Sequence, residues 1–168
     1  DCDACQSVRV RAIDFLPATR HRRNLKQNSD IVAEVVAPIV SAEQYGLFKR
    51  YLDSRHDGGG MTQMSYLDYE FMVEDTPVQS VLVEYRLAKD GPDGVAGQLV
   101  AAALTDPLPD GLSMVYSFFD PALSRRGLGT MMILDHIARA KLAGGYLYLG
   151  YWVKDSPKMA YKAAFQPL

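Results

Sequence analysis

The stretch that most constrains the fold lies between residues 112 and 153. An apolar run, LSMVYSFF (112–119), meets Asp120-Pro121 and then the turn S-R-R-G-L-G-T (124–130). A helical pattern follows from about Leu128 to Ala143, and an aromatic and β-branched run, YLYLGYWV (146–153), closes the stretch. Strand, helix and strand in this order specify a right-handed crossover with its helix on one face of a sheet. The two strands that flank it are candidates for a splayed, ligand-holding gap.

The rest of the chain supplies the sheet around that unit. SVRVRAI (7–13) alternates as a strand does, and the basic segment ATRHRRNLKQNSD (18–30) reads as a short helix or a loop. DIVAEVVA (30–37) is a β-branched strand. Ser41 and Gln44 form a capping box, and the helix that follows carries Tyr45, Phe48, Tyr51 and Leu52 on one stripe to about His56. DGGG (57–60) breaks it, and Ser65 to Asp68 opens another helix that ends near Glu74. VQSVLVEYR (78–86) and GQLVAAALT (97–105) read as a hairpin, and Ser156-Pro157 reads as the N-cap and N1 of a last helix to about Phe165. The order predicts an α/β fold with a mixed, mostly antiparallel sheet flanked by helices. Residues 30–168 form its domain, and residues 1–29 form a small N-terminal extension.

Length and composition are those of one globular domain, and no apolar run of about 18 residues or more predicts a membrane span. No signal peptide pattern opens the chain, so a cytoplasmic protein is expected, and the absence of an initiating Met suggests that residue 1 is not the natural start. The net charge of −2 argues against a generally basic coat, but the charges are segregated. Residues 31–123 carry five Lys/Arg against fourteen Asp/Glu, whereas 124–168 carry seven against two. Cys2 and Cys5 are spaced C-x-x-C, and two thiolates alone cannot close a tetrahedral metal site. They are half of a metal or cluster site, a redox pair, or a pair with no role. Asp135 and His136 lie within one helix and make an improbable metal site without further ligands.

The turn itself fits an anion. Glycines at 127 and 129 let the backbone approach a ligand, the amides of the first helical turn point at it, and Arg125 and Arg126 add charge. The alternative is a glycine-rich turn with two solvated arginines. This element order and turn resemble the GNAT acyltransferases, in which Q/R-x-x-G-x-G/A holds the pyrophosphate of acyl-coenzyme A. Here Ser124 stands where Gln or Arg is usual.

Four motifs in order give a narrower resemblance: RYLDSRHDGGGM (50–61), LSMVYSFFDP (112–121), LGTMMILDHIA (128–138) and LGYWVKDSPKMAYKAAFQPL (149–168). Together they resemble the bacterial aspartate/glutamate leucyltransferases, relatives of the arginyl-tRNA–protein transferases with a GNAT-like catalytic fold. CDACQSVRVRA resembles that family's C-x-x-C segment, which in the family follows further cysteines that this sequence does not contain, so this pair alone does not decide for an N-terminal metal or iron–sulfur site; the resemblance implies no cofactor for catalysis. The resemblance implies that an amino acid, leucine in the bacterial branch, moves from aminoacyl-tRNA to the α-amine of a protein beginning with Asp or Glu. That reaction marks the protein for degradation. The anion at the turn is then tRNA backbone, contacted by Arg125, Arg126, Gly127, Gly129 and Thr130.

Candidate roles follow from that reading. Backbone amides of 114–118, if freed by a bulge, bind the oxyanion. Tyr116 and Ser117 offer hydroxyls on opposite faces of a strand, so at most one enters a given site. Asp120 accepts the amine proton or caps the turn with Pro121. Tyr161 resembles the tyrosine that many GNAT enzymes use to protonate a leaving group, here the ribose hydroxyl; otherwise it is a packed helix residue. Arg55 and His56 wall the acceptor site, with His56 alternatively capping the helix. Tyr151 and Trp152 are core or wall of the acceptor pocket. Lys158 and Lys162, four apart on one helix face, contact tRNA phosphate or face water. Two rival readings are a coenzyme A-dependent N-acetyltransferase and a non-catalytic degradation adaptor.

Overall fold

The computed structural model describes residues 5–55, 60–154 and 156–168. Within them, six strands form one sheet in the order β1-β6-β5-β4-β3-β2. The strands are β1 (Cys5–Arg11), β2 (Ile31–Val36), β3 (Val81–Leu87), β4 (Leu99–Leu108), β5 (Gly111–Phe119) and β6 (Tyr146–Val153). The helices are α1 (Thr19–Gln27), α2 (Ala42–Arg55), α3 (Tyr66–Glu74) and α4 (Leu128–Leu142). β2 to β5 pair antiparallel in succession, α4 crosses over, and β6 returns parallel to β5.

Local chemistry sets the helix ends. The Ser41 backbone N–H donates to Gln44 Oε1 at 3.0 Å, and the Gln44 N–H donates to Ser41 Oγ at 3.2 Å. Ser65 and Asp68 repeat the device at α3. The sheet is covered on both faces. Phe48, Leu52, Tyr69 and Val73 of α2 and α3 pack on Leu82, Ala102 and Phe118. Met131 and Met132 of α4 pack on the other face, against Val83, Tyr85, Val100 and Ala103. Period-two alternation along β3 to β5 is what feeds both layers.

The N-terminal segment, expected as an extension, supplies an edge strand of the same sheet: β1 pairs with β6 from Cys5↔Val153 to Arg11↔Tyr146. Val10 and Ala12 lie in the core with Ile137, Leu147 and Phe165. His21 is stacked between Phe15 and Phe165, with ring centroids 5.5 and 5.4 Å away. Desolvation there lowers its pKa, and Arg20 lowers it further.

The C-terminal helix expected after Ser156-Pro157 is a 3-10 segment, Ala160–Ala164. The reason is burial. A three-residue repeat puts Lys162 and Phe165 on one side, and both are buried while Tyr161 is exposed. A segment this short has little intrinsic helical stability to oppose that choice.

Candidate active site

The pairing of β5 with β6 runs only from Gly111↔Tyr146 to Ser113↔Tyr148. Two irregularities part the strands beyond it. In the β4–β5 ladder Leu104 faces Tyr116 and Thr105 faces Met114, so Val115 is an extra residue on β5. In the β1–β6 ladder Ser7 faces Tyr151 and Arg9 faces Tyr148, and Gly150 within that bulge takes the left-handed φ of 72°. β5 leans away on one side and β6 on the other. The bulge that the sequence required for free amides on β5 is therefore present, beside the slot.

The slot has a volume of about 570 Å³. Met114 to Ser117 of β5 form one wall, and Ile133 of α4 and Leu149 of β6 form an apolar floor. Tyr51 and Arg55 enter from α2; Pro157, Lys158, Tyr161 and Lys162 enter from the C-terminal segment. The described lining thus holds three phenols, three cations and no carboxylate.

Arg55 is exposed at the mouth, donates to the Tyr51 hydroxyl at 3.1 Å and lies over the Phe119 ring at 5.4 Å. Desolvation pushes the Tyr116 phenol up to about 12, Tyr51 adds to the effect and Arg55 opposes it. The same causes, in the same order, raise the pKa of Tyr161. Both phenols are therefore O–H donors at neutral pH. Lys158 is exposed, whereas Lys162 is 7% exposed and donates from Nζ to the Tyr151 carbonyl. The two lysines do not share a helix face.

Several expected site residues are elsewhere. Arg125, Arg126, Gly127, Gly129 and Thr130 do not line the slot. Arg126 is buried, and its guanidinium donates to Asn28 Oδ1 at 3.0 Å, Asp93 Oδ2 at 3.1 Å, the Gln27 carbonyl at 3.2 Å and Asp30. Four of its five N–H donors are thus engaged within the protein; its neighbour Arg125 is exposed. Gly127, at φ 61°, is the N-cap of α4, and a Cβ there would stand 2.8 Å from Asn24 Nδ2. A Cβ at Gly129 would stand 3.2 Å from the Phe119 ring. Packing accounts for both glycines. Thr130 is half-buried in the first turn of α4, and its N–H donates to the Gly127 carbonyl.

Asp120 also stands outside the slot. It accepts from the Ala122 N–H at 2.9 Å and pairs with Arg50 at 3.7 Å, so it caps the turn. Tyr151 and Trp152 lie where β6 pairs with β1 and do not line the slot; the exposed Tyr151 contributes its carbonyl to Lys162. His136 is buried between the Tyr85 and Thr105 hydroxyls at 3.1 and 2.9 Å, a link through the core. His56 and Cys2 lie outside the described residues. Cys5 is an exposed free thiol, and among the described residues no group of three or more His, Cys, Asp or Glu could hold a metal. No helix among them is long and apolar enough to cross a membrane.

Sequence reading missed the clamp on the turn. Asn24 donates to the Arg126 and Gly127 carbonyls at 3.0 and 3.1 Å, Gln27 to the Arg125 carbonyl at 3.1 Å and Asn28 to the Arg126 carbonyl at 2.9 Å. Three amides spaced 24, 27 and 28 share one helix face, a signal that was available.

A mixed sheet that splays beyond one helical crossover, with a bulged strand at the gap, defines a GNAT-like fold. L-PGS from Bacillus licheniformis has this fold, with a TM-score of 0.61 at 11% identity over 91% of this chain and 48% of that one. The C-terminal DUF2156 domain of an Agrobacterium fabrum protein matches at 0.61 and 13%, over 89% and 49%. The profile described as "Arginine-tRNA-protein transferase, C terminus" matches residues 43–168, and the chain belongs to that family. An aspartate/glutamate leucyltransferase of Sinorhizobium medicae is 58% identical over 171 residues, 99% of this chain and 66% of its own length. One from Afipia carboxidovorans is 56% identical, again over 99% and 66%. The chain thus spans about two thirds of the length of the curated relatives that it matches.

Proposed function

We propose that the chain is the transfer domain of an aspartate/glutamate leucyltransferase. It moves leucine from the 3′ ester of tRNA to the α-amine of a protein that begins with Asp or Glu, which marks that protein for degradation. The slot between β5 and β6 carries the reading, because its described lining of cations and phenols, with no carboxylate among them, suits two anionic partners. Family membership and the names of the relatives support it.

The chemistry is aminolysis of an activated ester. The amine nitrogen bonds to the carbonyl carbon, the bond to the ribose oxygen breaks, the ammonium gives up a proton and the ribose oxygen gains one. An α-amine has a pKa of about 7.7–8.0, so roughly a quarter to two fifths is neutral at pH 7.5 and no strong base is needed. A slot whose described lining holds no carboxylate is compatible with that chemistry. Holding amine against ester is worth roughly 7–11 kcal/mol. One oxyanion donor is worth about 3–4 kcal/mol, and backbone amides beside the Val115 bulge are the candidates.

Tyr161, kept protonated by its surroundings, is the proposed proton donor to the ribose oxygen, and Tyr116 shares its polar wall. The exposed cations Arg55 and Lys158 at the mouth draw in the RNA end and the acidic acceptor. Ile133 and Leu149 offer an apolar floor to a leucine side chain.

The test uses full-length protein, labelled Leu-tRNA and Arg-tRNA, acetyl-coenzyme A, and peptides that begin with Asp, Glu or Ala. Leucine on acidic peptides alone is expected. Transfer of acetyl instead, or of leucine to the Ala peptide equally well, would overturn the reading.

A further inference from the structure

Lys162 is an unusual cation. It is 7% exposed, it lines the slot, and no Asp or Glu among the described residues pairs with it. One carbonyl, that of Tyr151, serves an ammonium with three donors. Buried charges are ordinarily paired, because an unpaired one loses its hydration without return. Gly150, at a left-handed φ of 72°, adjoins this ammonium, and a Cβ there would stand 4.0 Å from Lys162 Nζ. Desolvation lowers the pKa of this amine, and the Tyr161 ring centroid lies 5.9 Å from Nζ. Among the described residues no anion counters that desolvation, and a ligand carboxylate would supply the partner.

We infer that Lys162 is the receptor for the side-chain carboxylate of the acceptor's first residue, and so determines the preference for Asp and Glu. The inference rests on the transfer reaction proposed above. Position selects this anion over RNA phosphate. Arg55 and Lys158 are exposed at the mouth, where a bulky phosphodiester has access. Lys162 is buried in the lining, where a single carboxylate on a short side chain is the smaller anion to admit. A carboxylate supplies charge and two acceptor oxygens to the free N–H donors, whereas an Asn or Gln amide offers one neutral oxygen. The Lys162 ammonium therefore discriminates by charge where shape alone cannot.

The test compares full-length wild type with Lys162→Met and Lys162→Arg. Peptides that differ only in a first residue of Asp or Asn are used both in leucine transfer and in equilibrium binding by fluorescence polarisation. In Lys162→Met, kcat/KM for the Asp peptide is expected to fall about 100-fold while that for the Asn peptide changes less than about threefold, so that the preference collapses. Lys162→Arg retains most of the preference, because it keeps the charge. Equal losses on both peptides would place Lys162 on the RNA or in the packing, and overturn the inference. An undiminished preference for Asp would overturn it as well. If Lys162→Met does not fold, Lys162→Gln carries the same comparison. Should wild type transfer leucine to neither peptide, the proposed function falls, and the binding comparison still decides the role of Lys162.

Discussion

Arg126, at the turn before α4, engages Asn28, Asp30, Asp93 and the Gln27 carbonyl; Lys162, in the slot between β5 and β6, has one carbonyl for three donors. Both are buried cations in a basic, glycine-bearing stretch, and in sequence the first looks like the better anion site. The comparison teaches that a cation's availability depends on what the fold has already placed beside it. At the turn, the acidic middle of the chain supplies Asp93, and α1 with the residues after it supplies Asn28 and Asp30. At the slot, both flanking ladders carry bulges, and among the described residues no acidic side chain lines the walls.

The largest test of that contrast is Arg126→Met. It leaves Asp30, Asp93 and Asn28 without their donor and should cost about 3 kcal/mol in urea unfolding, with tRNA affinity and its salt dependence unchanged in the folded protein. A flattened salt dependence would return Arg126 to the RNA surface. The pH dependence has a defined sign. Burial acts to raise the Asp30 pKa, and the Arg126 hydrogen bond and charge more than offset it, so the folded value is depressed. The stability from that pair is complete above the unfolded value of about 3.9 and is lost as pH falls below it. Arg126→Met should therefore show a shallower loss of stability than wild type as pH falls below about 4.

On the slot side, Tyr161→Phe should lower kcat about 100-fold with little change in KM, measured as steady-state leucine transfer. An unaltered kcat would leave Tyr161 as wall. Arg55→Ala and Lys158→Ala should each reduce the salt slope of tRNA binding by about 1 while leaving unfolding free energy unchanged. The smallest effect belongs to Asp120→Ala, which removes a cap and should cost about 1 kcal/mol without altering kcat. A large loss of kcat there would move Asp120 into the chemistry.

Much of the scaffold was legible because its signals are local. β6 falls at 146–153 as its aromatic and β-branched run predicts, and Ser41 and Ser65 cap α2 and α3 through side chains three residues apart. The last segment was not legible. Ser156-Pro157 announces a helix, but burial of Lys162 and Phe165 imposes a three-residue repeat. Asp120 was legible only as a pair of alternatives, and a hydrogen bond to Ala122 decided for the cap.

Composition and periodicity by themselves determined the crossover, the antiparallel run of β3 to β5 and the apolar faces of the helices, and they marked β5 and β6 as candidates for a gap. These depend on spacing along the chain, which sequence states directly. Tertiary structure alone decided that β1 closes the sheet beside β6, that residues 24–28 clamp the turn, and which cations remain unpaired. Pairing of charges brings together residues about a hundred positions apart, and the free energy of a buried cation is set by those distant neighbours and not by the residues beside it in the chain.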